Sequence, residues 1–488
     1  MEINARRFRM ALLALVGAAA LLLLARSFLG PIRIGRAVVH SPVALEGFIS
    51  LALLLSVLLA PRAARHPPAA VSVPGSGRYA LILAGLAAAL LFVPNLAAPY
   101  LSDDYIHVAR RSHANSFVAH FHSPGADGAF RPAGYLYLEI LARAGGATPF
   151  IWHAMSLGLH LANGVLLYRF ARRLGYPGGV ASAACLLFWI HASRAEPVAW
   201  ASAAFDLLAV LFALAAALIL LPSRLGAIPA ALLAALFTAA SVWSKESTYL
   251  LPLVFPAIAA ARGQRLRAVP LAVSAVVVAA LLLHRFWFFA GPGGYPDPAT
   301  GREALLSLNP VSTAKALLHR SWTILFFPVN WNADGAHFLR TAGLAFLCLG
   351  YGGVFAGAAG RIERRSVRWL LTATVLALLP AAPLLLIGDD ALGSRFFYFA
   401  GVPFAILAAD CAQASGSRRA AAALWLSLTV GHALLLEHNL AAWRRAAYAA
   451  ERLCAEAADT GRRTPPPAVL GGVYLFANGF EECVAGSR

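Results

Sequence analysis

The chain has 488 residues, 60% of them hydrophobic and 13% charged, with a formal net charge of +18. With a mean hydropathy of +0.70, this balance excludes a single soluble globular core. It also argues against nucleic acid as a partner, because the arginines cluster between apolar stretches instead of forming one basic face interleaved with aromatics.

Apolar stretches close to the ~20 residues that cross hydrocarbon recur from end to end. In chain order they fall near 10–28, 43–60, 79–97, 150–170, 180–193, 198–221, 227–243, 248–261, 269–288, 342–359, 369–387, 396–411 and 420–436. The pattern predicts an all-α polytopic membrane protein, a bundle of about thirteen transmembrane helices. Residues 6–20 also have the make-up of a secretory signal, but the apolar run continues to Leu24, and we read an uncleaved first span. A cytoplasmic N-terminus places Arg62 and Arg65, Arg169, Arg172 and Arg173, Arg224, Arg262, Arg265 and Arg267, Arg361, Arg364, Arg365 and Arg368, and Arg418 and Arg419 on the inner side. Among the Arg-rich short loops the exception is the first outside turn, with Arg33 and Arg36.

The expected organisation is N-terminal transmembrane helices over 1–78, a membrane catalytic domain over 79–436 with outside loops at 99–149 and 289–340, and an extracytoplasmic tail over 437–488. The expected location is the inner (plasma) membrane, multi-pass. The stretch 311–327, with Lys315, His319, Arg320 and Trp322, has the make-up of a helix lying at the membrane interface. Cys185, Cys348 and Cys411 fall in apolar spans, which leaves Cys454 and Cys483 as the pair able to form a disulfide.

The outside loops hold the residues that could carry chemistry. Asp103-Asp104 opens the first, followed by Tyr105 and His107. Two adjacent carboxylates repel, so one holds its proton more tightly or both take a cation, and either arrangement suits a general base. A helix cap at Ser102 or Asp103 is the plain alternative. Further along stand His113, His120 and His122, then Arg131 before Pro132, where a guanidinium can hold a phosphate or simply reach for headgroups. The second outside segment carries His191 and Glu196, with Asp206 inside the following span; an in-span acid is either functional or half of a structural ion pair. Lys245-Glu246 follows the seventh span, and Asp389, Asp390 and Arg395 precede the twelfth. The Gly-rich 290–295 lacks the Lys-Ser/Thr of a nucleotide-binding loop.

Taken in order, Asp-Asp-Tyr, Phe-Arg-Pro, His-x-x-x-x-Glu-Pro-Val-Ala-Trp with a downstream Asp, Ser-Lys-Glu and Ser-Arg-Phe-Phe-Tyr resemble the membrane part of the O-mannosyltransferases that carry tetratricopeptide repeats. These belong to the GT-C class of polyprenyl-phosphate-sugar-dependent transferases. The chain departs from the family pattern at Ala192, where a proline is usual, at Ala203 to Asp206, where an arginine is usual, and in having no repeats after the last span.

The resemblance implies a GT-C-like helical bundle with interfacial helices in the long outside loops. It implies an inverting transferase that moves a sugar from a polyprenyl-phosphate donor to a protein or glycan acceptor. Asp103 would be the base, with Asp104 and Glu196 as further acids or ligands of a divalent cation (Mg or Mn). Arg131, Lys245 and Arg395 would hold the donor phosphate, and His107, His191, Asp206 and Glu246 would support them. A transporter or flippase of a lipid-linked saccharide is the competing reading, and it requires in-span charges along a path, of which the sequence offers chiefly Asp206. An inactive family member with a structural role is the third.

Overall fold

The structure, a computed structural model, describes residues 2–34, 37–39, 41–60, 76–109, 121, 129–289, 295–296, 303–304, 310–335, 337–380, 390–461, 469–476 and 479–487. Nearly all of the regular structure is helical. The first half of the chain forms α1 (Glu2–Leu29), α2 (Pro42–Leu58), α3 (Ser76–Phe92), α4 (Asp104–Ala109), α5 (Pro132–Gly145), α6 (Pro149–Arg173), α7 (Gly178–Ile190), α8 (Ala195–Ala199), α9 (Ala204–Leu220) and α10 (Ala227–Ser244). The second half forms α11 (Leu251–Ala261), α12 (Ala268–Phe288), α13 (Pro310–Lys315), α14 (Ser321–Phe326), α15 (His337–Ala358), α16 (Arg364–Leu378), α17 (Gly401–Ala414), α18 (Arg418–Thr460) and α19 (Phe480–Gly486). The strands among the described residues form three small antiparallel hairpins. The chain is an all-α, multi-pass membrane protein.

Each apolar stretch read from the sequence is occupied by a helix. By length and composition, seven of the described helices can cross a membrane: Arg7–Leu29, Pro149–Arg173, Ala201–Leu220, Ala227–Ser244, Ala268–Phe288, His337–Ala358 and Arg418–Thr460. Shorter apolar helices at Pro42–Leu58, Leu81–Asn95, Gly178–Ile190, Leu251–Ala261 and Gly401–Ala414 pack among them, and α16 opens on Arg364-Arg365. Seven described helices are therefore candidates to cross by themselves. Leu21, Leu232, Val276 and Leu349 face outward, whereas Glu46, Asp206, Arg285 and Arg340 are buried. That inversion of the soluble pattern suits a lipid surround.

One end of the bundle is basic, and its arginines satisfy carbonyls left open where helices stop. Arg9 donates to Ala356 O at 2.7 Å, Arg173 to Leu218 O at 2.8 Å, Arg365 to Ala260 O at 2.9 Å and Arg361 to Ser415 O at 2.9 Å. Helix α18 runs unbroken for 43 residues, about 65 Å at the usual rise. Because hydrocarbon is only ~30 Å thick, much of it stands clear of the bilayer. It packs along α15 through small residues: a Cβ on Gly343 would lie 2.7 Å from Leu435 Cγ, and one on Gly431 would lie 3.0 Å from Gly343 O.

The stretch 311–327 differs from the interfacial helix expected. A π-helical turn, Ala316–Arg320, separates α13 from α14, and every residue of α14 is buried. With Trp322, Ile324, Leu325 and Phe326 in six residues, α14 is apolar all round and belongs in a core. The tail folds back, joined to α18 by a Cys454–Cys483 disulfide with Cα atoms 5.8 Å apart.

Candidate functional site

The Asp103-Asp104 turn is pinned to the start of α9. Ser102 takes a left-handed φ of 54°, which turns the chain so that Asp104 opens α4 with its side chain inward. Asp104 is fully buried, and its carboxylate accepts from Ser202 N at 2.7 Å, Ser202 Oγ at 2.5 Å and Leu101 N at 3.2 Å. Trp200 Nε1 donates to Leu101 O at 3.2 Å. Burial pushes the Asp104 carboxyl up to about 7, against the pull of the Ser202 and Leu101 hydrogen bonds and with the help of Asp103. Asp103 is only partly buried, at the rim, with Ser102 Oγ 3.5 Å from Oδ1.

Beyond Ser202 lies a buried set of ion pairs at the first turn of α9 and the last turns of α10 and α12. Lys245 Nζ is 3.2 Å from Asp206 Oδ2. Arg131 Nε is 3.1 Å from Glu246 Oε2, and Arg285 Nη1 is 3.4 Å from Oε1 of the same residue. Burial alone would raise the Glu246 carboxyl, but Arg131, Arg285 and Lys245 outweigh it and hold the group at about 2. Glu196 pairs with Arg395 Nη1 through Oε1, while Oε2 accepts from Ser394 Oγ and Arg395 N, each at 3.0 Å.

Aromatic rings join these pairs. Arg395 lies between Trp200 at 4.7 Å and Phe396 at 4.6 Å, Lys245 lies over Phe396 at 5.1 Å, and Arg131 lies over Phe205 at 5.4 Å. His107 meets the other side of the same cluster, 5.9 Å from the Phe205 ring. Lys245, Arg395 and Arg131 all act electrostatically on Asp206.

Asp104, Glu196, Arg131, Lys245, Arg395, Asp206, Glu246 and His107 are thus brought together, with Asp103 at the edge. His191 is not. Its Nε2 donates to Leu325 O at 2.8 Å and its Nδ1 accepts from Ser193 Oγ at 2.8 Å, so the ring braces α14. His113, His120, His122 and Asp389 lie outside the described residues, as do the side chains of Lys315 and His319. The cation expected at Asp104 and Glu196 finds no fitting donor set: the carboxylate oxygens of both accept from protein donors. Among the described residues no group of three or more His, Cys, Asp or Glu could hold a metal.

Two participants, and one buried acid elsewhere in the fold, escape the sequence reading. Arg285 sits inside an apolar run, Leu281 to Trp287, and the rule applied to Asp206 would have singled it out. The same holds for Glu46, which accepts from Trp331 Nε1 at 3.0 Å. Ser202 has no local signal, because its role is fixed by the approach of Asp104. Compared with known proteins, the chain matches no family model, no curated protein and no solved structure.

Proposed function

We propose that the protein is a membrane glycosyltransferase of GT-C type that moves a sugar from a polyprenyl-phosphate donor to an acceptor hydroxyl on protein or glycan, inverting the anomeric centre. One observation carries the reading: segments around residues 104, 131, 196–206, 245 and 395, far apart in sequence, meet in one buried, charged cluster at one end of the bundle. On this reading thirteen helices cross, the N-terminus is cytoplasmic and the site is extracytoplasmic. The basic opposite end supports that orientation, and so does the Cys454–Cys483 disulfide, which belongs to an oxidising compartment.

Asp103 takes the proton from the acceptor hydroxyl, because both Asp104 oxygens already accept from protein donors. The acceptor oxygen then bonds to the anomeric carbon as the bond to phosphate breaks. Polyprenyl phosphate leaves with the electron pair, and its growing charge is met by Arg131, Lys245 and Arg395. Glu196, Asp206 and Glu246 keep these cations in place until phosphate arrives.

The transporter reading gains from the buried charges Glu46, Arg285 and Arg340, which make Asp206 less solitary than the sequence suggests. All four, however, lie within five residues of a helix end. That spacing suits a surface site better than a path through the bilayer. Incubating the purified chain in lipid with a polyprenyl-phosphate sugar labelled in the sugar tests the choice. Label moving to an aqueous or protein acceptor, with release of polyprenyl phosphate, supports the transferase; label that only changes leaflet overturns it.

A further inference from the structure

The tail touches both turns that carry the site, and at each contact the meeting residue is a glycine that nothing larger could replace. Gly479, at φ +87°, lies so close to the Asp103 turn that a Cβ would stand 2.7 Å from Ser102 O and 3.2 Å from Ile106 Cγ1. Gly472, at φ +76°, lies against the loop leading to Arg395, where a Cβ would stand 2.6 Å from both Asn330 Oδ1 and Asp390 Cβ. Asn330 Nδ2 donates to Gly471 O at 2.9 Å, and Asn330 N donates to Asn439 Oδ1 on α18 at 3.1 Å. Phe476 and Phe480 are buried with ring centroids 5.0 Å apart. Helix α19 packs on α4 and α18, and the Cys454–Cys483 disulfide fixes it to the extramembrane part of α18.

We propose that the tail pieces 469–476 and 479–487 form a clamp that positions Asp103, kept in place by the Cys454–Cys483 bond; this rests on the reading of Asp103 as the base. Ser102 sits in a conformation that L residues rarely adopt, and its carbonyl is the atom on which Gly479 closes. The disulfide shortens the search of the tail for that seat. Gly479 and Gly472 are therefore positioning residues, acting on the reaction through the backbone of the two loops.

Hydrogen exchange on the full chain in lipid nanodiscs, together with label-transfer kinetics, tests the clamp. Cys454→Ser/Cys483→Ser and Gly479→Ala should each speed exchange over 101–107 while α9 keeps its protection. In both, kcat should fall between about tenfold and a hundredfold, as for a displaced reacting group, with the donor KM unchanged. Gly486→Ala, whose Cβ meets nothing within 4 Å, should behave as the wild type. Unchanged exchange over 101–107 in both variants overturns the clamp. If the cysteine variant loses protection in α9 as well, Gly479→Ala decides. Faster exchange in a wild-type background that transfers no label leaves the clamp standing and overturns the transferase reading instead.

Discussion

A carboxylate that accepts three hydrogen bonds from its own chain, as Asp104 does from Ser202 and Leu101, has little left to offer a substrate. Its neighbour Asp103 is only partly buried. Asp104→Asn would point an amide NH2 at one of these donors, and we expect it to destabilise the chain by about 1–3 kcal/mol. Asp103→Asn should stay within about 0.5 kcal/mol of wild type, and thermal unfolding in detergent separates the two. Because the Asp104 pKa rises from 3.8 to about 7 on folding, the folded chain binds a proton there that the unfolded chain releases. This contribution is favourable at low pH and falls as pH rises from about 4 to about 7, and Asp104→Asn should flatten that slope.

Glu246 behaves oppositely, its folded value lying at about 2 against an ordinary 4.5. Its contribution holds above about 4.5 and is lost as pH falls toward about 2. Glu246→Gln removes the carboxylate that Arg131 and Arg285 share, and a loss of about 3–5 kcal/mol is expected, read as a lower midpoint at neutral pH. The adjacent acids stood out in the sequence as candidates, but their different surroundings did not, since those depend on Ser202, ninety-eight positions from Asp104.

At the scale of elements, a helix stands in each apolar run read from the sequence, because hydrocarbon demands it. Run length failed to separate α14 from an interfacial helix, since six apolar-rich residues carry no sign of which surface covers them. The family resemblance gave His191 to the site, whereas the ring braces α14. The α15–α18 seam is held by close backbone approach at Gly343 and Gly431. Gly431→Leu on α18 should push the helices apart and lower the thermal midpoint sharply, whereas Gly352→Ala on α15, with nothing within 4 Å of its Cβ, should not.

For the whole molecule, the two ends have different chemistry. Arginines tie helix ends together at one, and buried ion pairs, the disulfide and the tail gather at the other. The charge pattern made that asymmetry visible in the sequence; the convergence of four segments on Trp200, Ser202, Phe205 and Asp206 required the fold. The most direct test is label transfer from a polyprenyl-phosphate sugar in membranes, comparing wild type, Asp103→Asn and Asp104→Asn at matched amounts of folded protein. The account predicts transfer by the wild type, loss of at least about a hundredfold in Asp103→Asn, and a loss in Asp104→Asn accompanied by a lowered midpoint. Full transfer by Asp103→Asn, or none by the wild type with donor and acceptors present, would contradict it.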